Sequence, residues 1–212
     1  AEGLSHPFSL AFALTFSAVF HLFRREGQLA REPAEAVITL ATEQGFPYWL
    51  AWGRVIQGWV LAEQGQVEEG LVQIQQGLAT ARAMGAEVVR TGSLAMLAMA
   101  YAKAGRIEDG LSVLAEALAL VDNTGARVSQ AGLYVLKGWV LLFRAGGNQA
   151  ETEACFLKAV KISRQQQAKS LELRATMSLA RLWQSQDKKK EAHKLLAEVY
   201  SWFTEGFDTK DL

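Results

Sequence analysis

The sequence predicts an all-α fold, an antiparallel helix–turn–helix solenoid. Three observations point to it. Gly45, Gly85 and Gly125 are spaced by 40 residues, as are Gly65 and Gly105, and Gly70 and Gly110. Between these glycines the apolar residues fall at helical spacing, as in Leu71, Ile74 and Leu78 or Leu111, Leu114 and Leu118. No β-type alternation persists beyond a few residues. Of the three prolines, Pro7, Pro33 and Pro47, each is placed at a helix start or between helices.

The repeat is visible as strings. "GQVEEGL" (65–71) lines up with "GRIEDGL" (105–111), and "GWVL" at 58–61 recurs at 138–141. About five units follow, at roughly 8–45, 48–85, 88–125, 128–167 and 170–207, with a small insertion near Gly146 and Gly147. They are read as one solenoid domain over 1–212. In each unit a glycine ends the first helix (Gly65, Gly105) and another the second (Gly85, Gly125), where a left-handed residue is needed. Gly70, Gly77, Gly110 and Ala117 lie inside helices. Glycine there costs about 1 kcal/mol against alanine, and close approach of the two helices of a hairpin supplies the reason. Each pair buries its faces on its neighbours, so a single repeat is not expected to fold alone.

The first unit opens with "FSLAFALTFSAVFHLF" (8–23), which has no formal charge for 16 residues. It is shorter than the roughly 20 apolar residues a membrane span needs, and it carries Ser9, Thr15, Ser17 and His21. A buried first helix is expected, with no membrane partner. The chain lacks an initiator Met at Ala1 and a signal-peptide pattern, which suggests a piece of a longer protein. Its last residues, "YSWFTEGFDTKDL" (200–212), read as aromatics, a turn and a helix start, with Asp208 or Thr209 as N-cap and Asp211 and Leu212 opening the first turn.

Composition narrows the function classes. Basic and acidic residues balance at 22 each, and residues 148–212 hold 11 and 9, too even for a nucleic-acid footprint. A mean hydropathy of +0.06 is slightly apolar and fits an apolar surface patch in use. Cys155 is the only cysteine, so no internal disulfide forms and a reducing cytoplasm is the expected home. It sits in "EACFLKA", where a buried apolar role is expected. No phosphate loop and no H-E-x-x-H or Cys/His cluster occurs, so no cofactor, metal or enzyme activity is expected. His6, His21 and His193 are far apart. Glu68–Glu69 and Glu108–Asp109 are read as helix-start carboxylates, and Lys188 to Lys190 as a solvated turn.

"LAMLAMAYAKAGRIEDGLSVLAEAL" (94–118) resembles the tetratricopeptide repeat (TPR), with Leu97, Ala98, Tyr101, Gly105, Gly110 and Ala117 at its core positions. The resemblance implies a right-handed α-α superhelix with helices longer than that motif's. "LATEQGFPYWLAWG" (40–53), "GWVLAEQGQVEEG" (58–70), "EALALVDNTG" (116–125), the run 153–183 and the closing "YSWFTEGFDTKDL" look like the C-terminal repeat region of multidomain bacterial signalling proteins. Those proteins carry a class III adenylate/guanylate cyclase or similar output domain and a STAND-type ATPase. The resemblance implies one more helix beyond "FTEGFDT", cut off here, and makes Trp202, Phe203 and Phe207 core residues of the last repeat and that capping helix, expected to be partly uncovered by the truncation. Val135 and Trp139 depart from the pattern, which has a basic and an acidic residue there.

Function is therefore read as binding, on the face formed by the first helix of each pair. Counting back from the turns gives Leu14, Ser17, His21 and Arg24, then Trp52, Val55, Trp59 and Glu63, then Gly92, Ala95 and Met99. The last two repeats add Gly132, Val135 and Trp139, and Arg174, Met177 and Arg181. Trp and Arg are enriched at binding hot spots and Met lets a surface adapt. The expected partner is a protein or peptide segment, an amphipathic helix or apolar stretch, or other domains of the parent chain, with Arg174 and Arg181 holding acidic groups. Asn123 and Asn148 are the only asparagines and lie near turns, so an Asn ladder is not expected. Packing of these side chains between neighbouring helices is the structural alternative, and Trp59 and Trp139 are the ones most expected to escape it. Self-association through an apolar face is the functional alternative.

Overall fold

The computed structural model describes residues 6–125, 127–144, 146, 148–207, 209 and 211. Among the described residues all regular structure is helical. Ten α-helices follow one another: α1 (Pro7–Phe23), α2 (Gly27–Glu43), α3 (Pro47–Glu63), α4 (Val67–Ala83), α5 (Glu87–Lys103), α6 (Ile107–Thr124), α7 (Gln130–Leu142), α8 (Gln149–Gln165), α9 (Lys169–Ser185) and α10 (Lys189–Tyr200). A 3-10 turn, Arg127–Ser129, precedes α7. The chain falls into two compact units, Ala1–Val113 and Leu114–Leu212, and the division lies inside α6.

The turns are built alike. After α3, Gly65 takes φ +90°, and the Gln66 N–H donates back to the Leu61 carbonyl at 3.0 Å. That is the Schellman closure, which satisfies a carbonyl the helix end leaves open. The same bond closes α5, from Arg106 to Tyr101 at 2.8 Å. Three turns use no glycine. Arg25, Gln167 and Asp187 adopt φ of 59°, 56° and 63°, and the closing bond persists, as from Glu26 to His21 at 2.8 Å. These three side chains accept a left-handed backbone that costs a non-glycine residue about 1 kcal/mol.

In the first unit the α3–α4 hairpin is held by glycines. A Cβ on Gly58 would lie 2.6 Å from the Gly70 carbonyl oxygen, and one on Gly70 would strike the Gly58 carbonyl oxygen. A Cβ on Gly77 would lie 2.7 Å from the Ala51 carbonyl oxygen. The backbones touch there, which is the packing reason the sequence demanded. The α3 face toward the preceding pair carries Ile56 and Val60, which pack with Ala18, Ala30 and Ala34. Trp49, Val37, Ala11 and Ala41 form a second cluster beside it.

The second unit closes a hairpin differently. Gly138 of α7 makes room for the Phe156 ring of α8, whose Cδ1 would lie 2.7 Å from an added Cβ. Phe156, Leu179 and Leu182 form the core between α8 and α9. Asn148 caps α8, its Oδ1 accepting from the Ala150 N–H at 3.0 Å. Glu172 is buried and takes two cations, Arg164 Nε at 2.7 Å and Lys169 Nζ at 2.8 Å. Burial pulls its carboxyl up, but the Lys169 and Arg164 bonds outweigh that and hold it below the ordinary carboxylate value.

Two expectations need correction. Pro33 lies inside α2, not at a helix start or between helices, because the helix begins two residues after the Arg25 turn. The first helix is buried on one side only: Ala11, Thr15 and Ala18 are in the core and Leu14, Val19 and Leu22 pack half-buried against it, while Phe8, Phe12, Phe16, Phe20 and Phe23 are between 48% and 61% exposed. At the other end of the chain Trp202 and Phe207 are exposed and Phe203 is half-buried, which does not conflict with the expected partly uncovered core. Thr209 is described, with its hydroxyl donating to the Gly206 carbonyl at 2.7 Å, whereas Asp208 and Leu212 lie outside the described residues.

Candidate protein-interaction surface

In the first unit the expected face is drawn from α1, α3 and α5. Val55 is in the core, with no exposed surface, because it turns toward α4 and meets Gly77. It leaves the surface set. Trp52 is half-buried; it packs on the Ala18–Ile56 cluster, and Gly92 of α5 leaves room for its ring, an added Cβ lying 3.0 Å from Cη2. Trp59 is also half-buried. Lys103 Nζ sits 5.8 Å from its ring centroid and 2.9 Å from the Glu63 carboxylate. Lys103 of α5 thus ties Trp59 and Glu63 of α3 into one polar-rimmed aromatic platform. Met99 and Ala95 of α5 are half-buried, as is Leu14 of α1, while Ser17 is exposed.

His21 and Arg24 are engaged at the end of α1. His21 Nδ1 lies 2.9 Å from one Glu26 oxygen, and Arg24 Nε donates to the other at 2.8 Å. The His21 bond, then the Arg24 bond, holds the Glu26 carboxyl below its ordinary value.

In the second unit Val135 belongs to the core, packed with Ala159, Val160 and Ala175. The apolar surroundings suit a β-branched side chain there. Trp139 is half-buried and its Nε1–H donates to Ser178 Oγ of α9 at 2.9 Å. Arg174 Nε donates to Asp211 Oδ2 at 2.7 Å, so an internal carboxylate meets it. Met177 and Gly132 are half-buried and Arg181 is exposed. Two open hollows lie beside α8 instead, sharing Leu157, Lys161 and Gln165, positions that sequence reasoning did not single out.

Burial pushes the Cys155 thiol above its ordinary pKa, which disfavours the thiolate a nucleophile needs. Among the described residues no group of three His, Cys, Asp or Glu side chains is placed to hold a metal ion. No described helix is long and apolar enough to cross a membrane.

The chain matches solved helical-repeat structures over nearly its whole length. A kinesin light chain-like protein of Podosopora anserina, with nearly identical TPR-like repeats, is 20% identical, with 93% of this chain and 96% of that chain covered and a TM-score of 0.62. The fold is that of TPR-like helical repeats. A Rap protein complexed with Competence and Sporulation Factor gives a TM-score of 0.79 at 16% identity, covering 94% of this chain and 56% of that one. The apo form of RapI gives 0.64 at 10% identity, over 94% and 86%. At these identities the TPR-like likeness concerns the fold alone. No family profile and no curated protein matches the sequence.

Proposed function

We propose that the chain is a non-catalytic interaction module that receives a peptide or protein segment on the first helices of its repeats. The observation that carries this reading is the Trp59 platform. A half-buried aromatic ring stands on α3, rimmed by Lys103 and Glu63, and Met99 of α5 is half-buried as well. It offers an apolar seat with a charge of each sign at its edge, which suits an amphipathic segment. Trp139, Met177 and Arg181 form a lesser seat within the second unit. A repeat protein of like fold, the Rap protein, is complexed with a factor, which supports a receptive role for such helices. In the finer reading the module is the sensor or scaffold arm of a larger cytoplasmic signalling protein of the cyclase–ATPase type.

Peptides selected from a random displayed library against the wild-type chain test the seat. Trp59→Lys is expected to weaken the selected peptides at least about tenfold, while Val128→Lys, an exposed change elsewhere, leaves them unaltered. Undiminished binding to Trp59→Lys would remove the platform from the account. Sequencing the coding region on both sides tests the finer reading: a phosphate-binding loop and an output domain upstream are expected.

A further inference from the structure

Counted back from the left-handed residue that follows each first helix (Arg25, Gly65 or Asp187), the α1 phenylalanines fall on a register that is covered in later repeats. Phe12, Phe16 and Phe20 correspond to Trp52, Ile56 and Val60 of α3, which pack on the preceding pair through Ala18, Ala30 and Ala34. In the second unit Phe16 and Phe20 correspond to Ser178 and Leu182 of α9, which meet Trp139 of α7 and Phe156 of α8. The same face is therefore an interhelical face in two separate instances. In α1 it carries a phenylalanine at each of the three places and stands half open.

We propose that this phenylalanine face is covered by α1 of a second copy of the chain, packed about a two-fold axis near Phe16. With Phe8 and Phe23 at its two ends the stripe has five rings, each about half exposed, which leave about 500 Å² per copy to bury, so that a symmetric pair reaches the roughly 1,000 Å² a specific interface needs. Head-to-tail stacking is disfavoured by chemistry. Where α1 offers Val19 and Leu22 to the next pair, α9 has Arg181 and Gln184 at the same places, both exposed and polar. Laying those on the phenylalanines would desolvate a guanidinium without a carboxylate to receive it. A phenylalanine stripe, in contrast, complements itself, with rings interleaving edge to face. A lipid surface fits less well, because α1 carries no Lys or Arg from Pro7 to Phe23, and interfacial helices rely on such a basic polar face. The Trp59 seat lies outside this face, so the dimer does not rest on the groove.

Light scattering coupled to gel filtration reads the proposal directly. The wild-type chain is expected at twice 23.2 kDa at micromolar concentration, and Phe16→Glu with Phe20→Glu at once that mass with unchanged helical circular dichroism. The dissociation constant should rise at least about 100-fold. As a second variant, Phe16→Cys should give a disulfide-linked dimer on mild oxidation, and Val128→Cys, exposed but in the second unit, should not. A wild-type chain of single mass, or a dimer that survives the double substitution, overturns the proposal. A single-mass chain that floats with phosphatidylcholine–phosphatidylserine vesicles overturns it in favour of lipid.

Discussion

Phe16 and Phe20 of α1 stand in the same register as Ile56 and Val60 of α3, yet the first two are 51% and 57% exposed and the second two 0% and 2%. Both helices run for 17 residues and both start on a proline. The difference is made by neighbours. Against α3 lie Ala18, Ala30 and Ala34 of the preceding pair, whereas half of each ring on α1 remains open. In a repeat protein, then, a residue's place in the unit says which way it points, and only the stacking says whether it is covered.

The sharpest way to break this comparison is to charge both faces. Ile56→Glu buries an unpaired carboxylate in the first unit and should cost at least about 4 kcal/mol in urea denaturation. Phe16→Glu added to a Phe20→Glu chain, compared at concentrations where both are monomeric, should stay within about 0.5 kcal/mol of neutral. Equal losses would mean that α1 is a core helix after all.

The next effect is at the glycines. Gly70→Ala drives a methyl onto the Gly58 carbonyl and should cost about 2–3 kcal/mol, more than the gain in helix propensity returns. Gly132 of α7 has no heavy atom within 4 Å of an added Cβ, so Gly132→Ala should stabilise by about 0.5–1 kcal/mol. Two helical glycines thus give opposite signs, readable from midpoints of denaturation.

How much of this was legible follows from the same contrast. The turns at Gly45, Gly65, Gly85, Gly105 and Gly125 all carry positive φ, and their 40-residue spacing sufficed to place the helices of the first three repeats. Arg25, Gln167 and Asp187 do the same work without glycine, so no local signal marked those turns; the period alone reaches them. Pro33 escaped because proline usually sits in the first helical turn, and α2 begins a turn earlier than that habit suggests. The exposed stripe escaped because α1 is apolar on nearly every side, and pattern cannot then tell the inner face from the outer one. Among the candidate residues, Val55 and Val135 point toward the partner helix of their own pair, a one-position difference on the helix surface from Trp59 and Trp139.

Smaller effects sharpen the comparison of the two units. The first unit leans on glycine contacts in α3–α4, and the second on the buried carboxylate of Glu172. Glu172→Gln should cost about 2 kcal/mol near neutral pH, since the negative charge and one of the two oxygens that accept from Arg164 and Lys169 are lost. The sign with pH follows from its depressed carboxyl. The stabilisation is present above the ordinary carboxylate range and is lost as pH falls through the folded value, so the substitution should flatten the acid limb of the stability curve. Smallest of all, Asn148→Ala removes the α8 cap and should cost about 1 kcal/mol in thermal denaturation.

The most direct test of the interaction surface is hydroxyl-radical footprinting of the aromatic and methionine side chains, with and without a library-selected peptide. The account predicts that oxidation of Trp59 and Met99 falls on peptide addition while Phe16 and the buried Trp49 keep their rates. Unchanged Trp59 with protection elsewhere would contradict the assignment of the binding face.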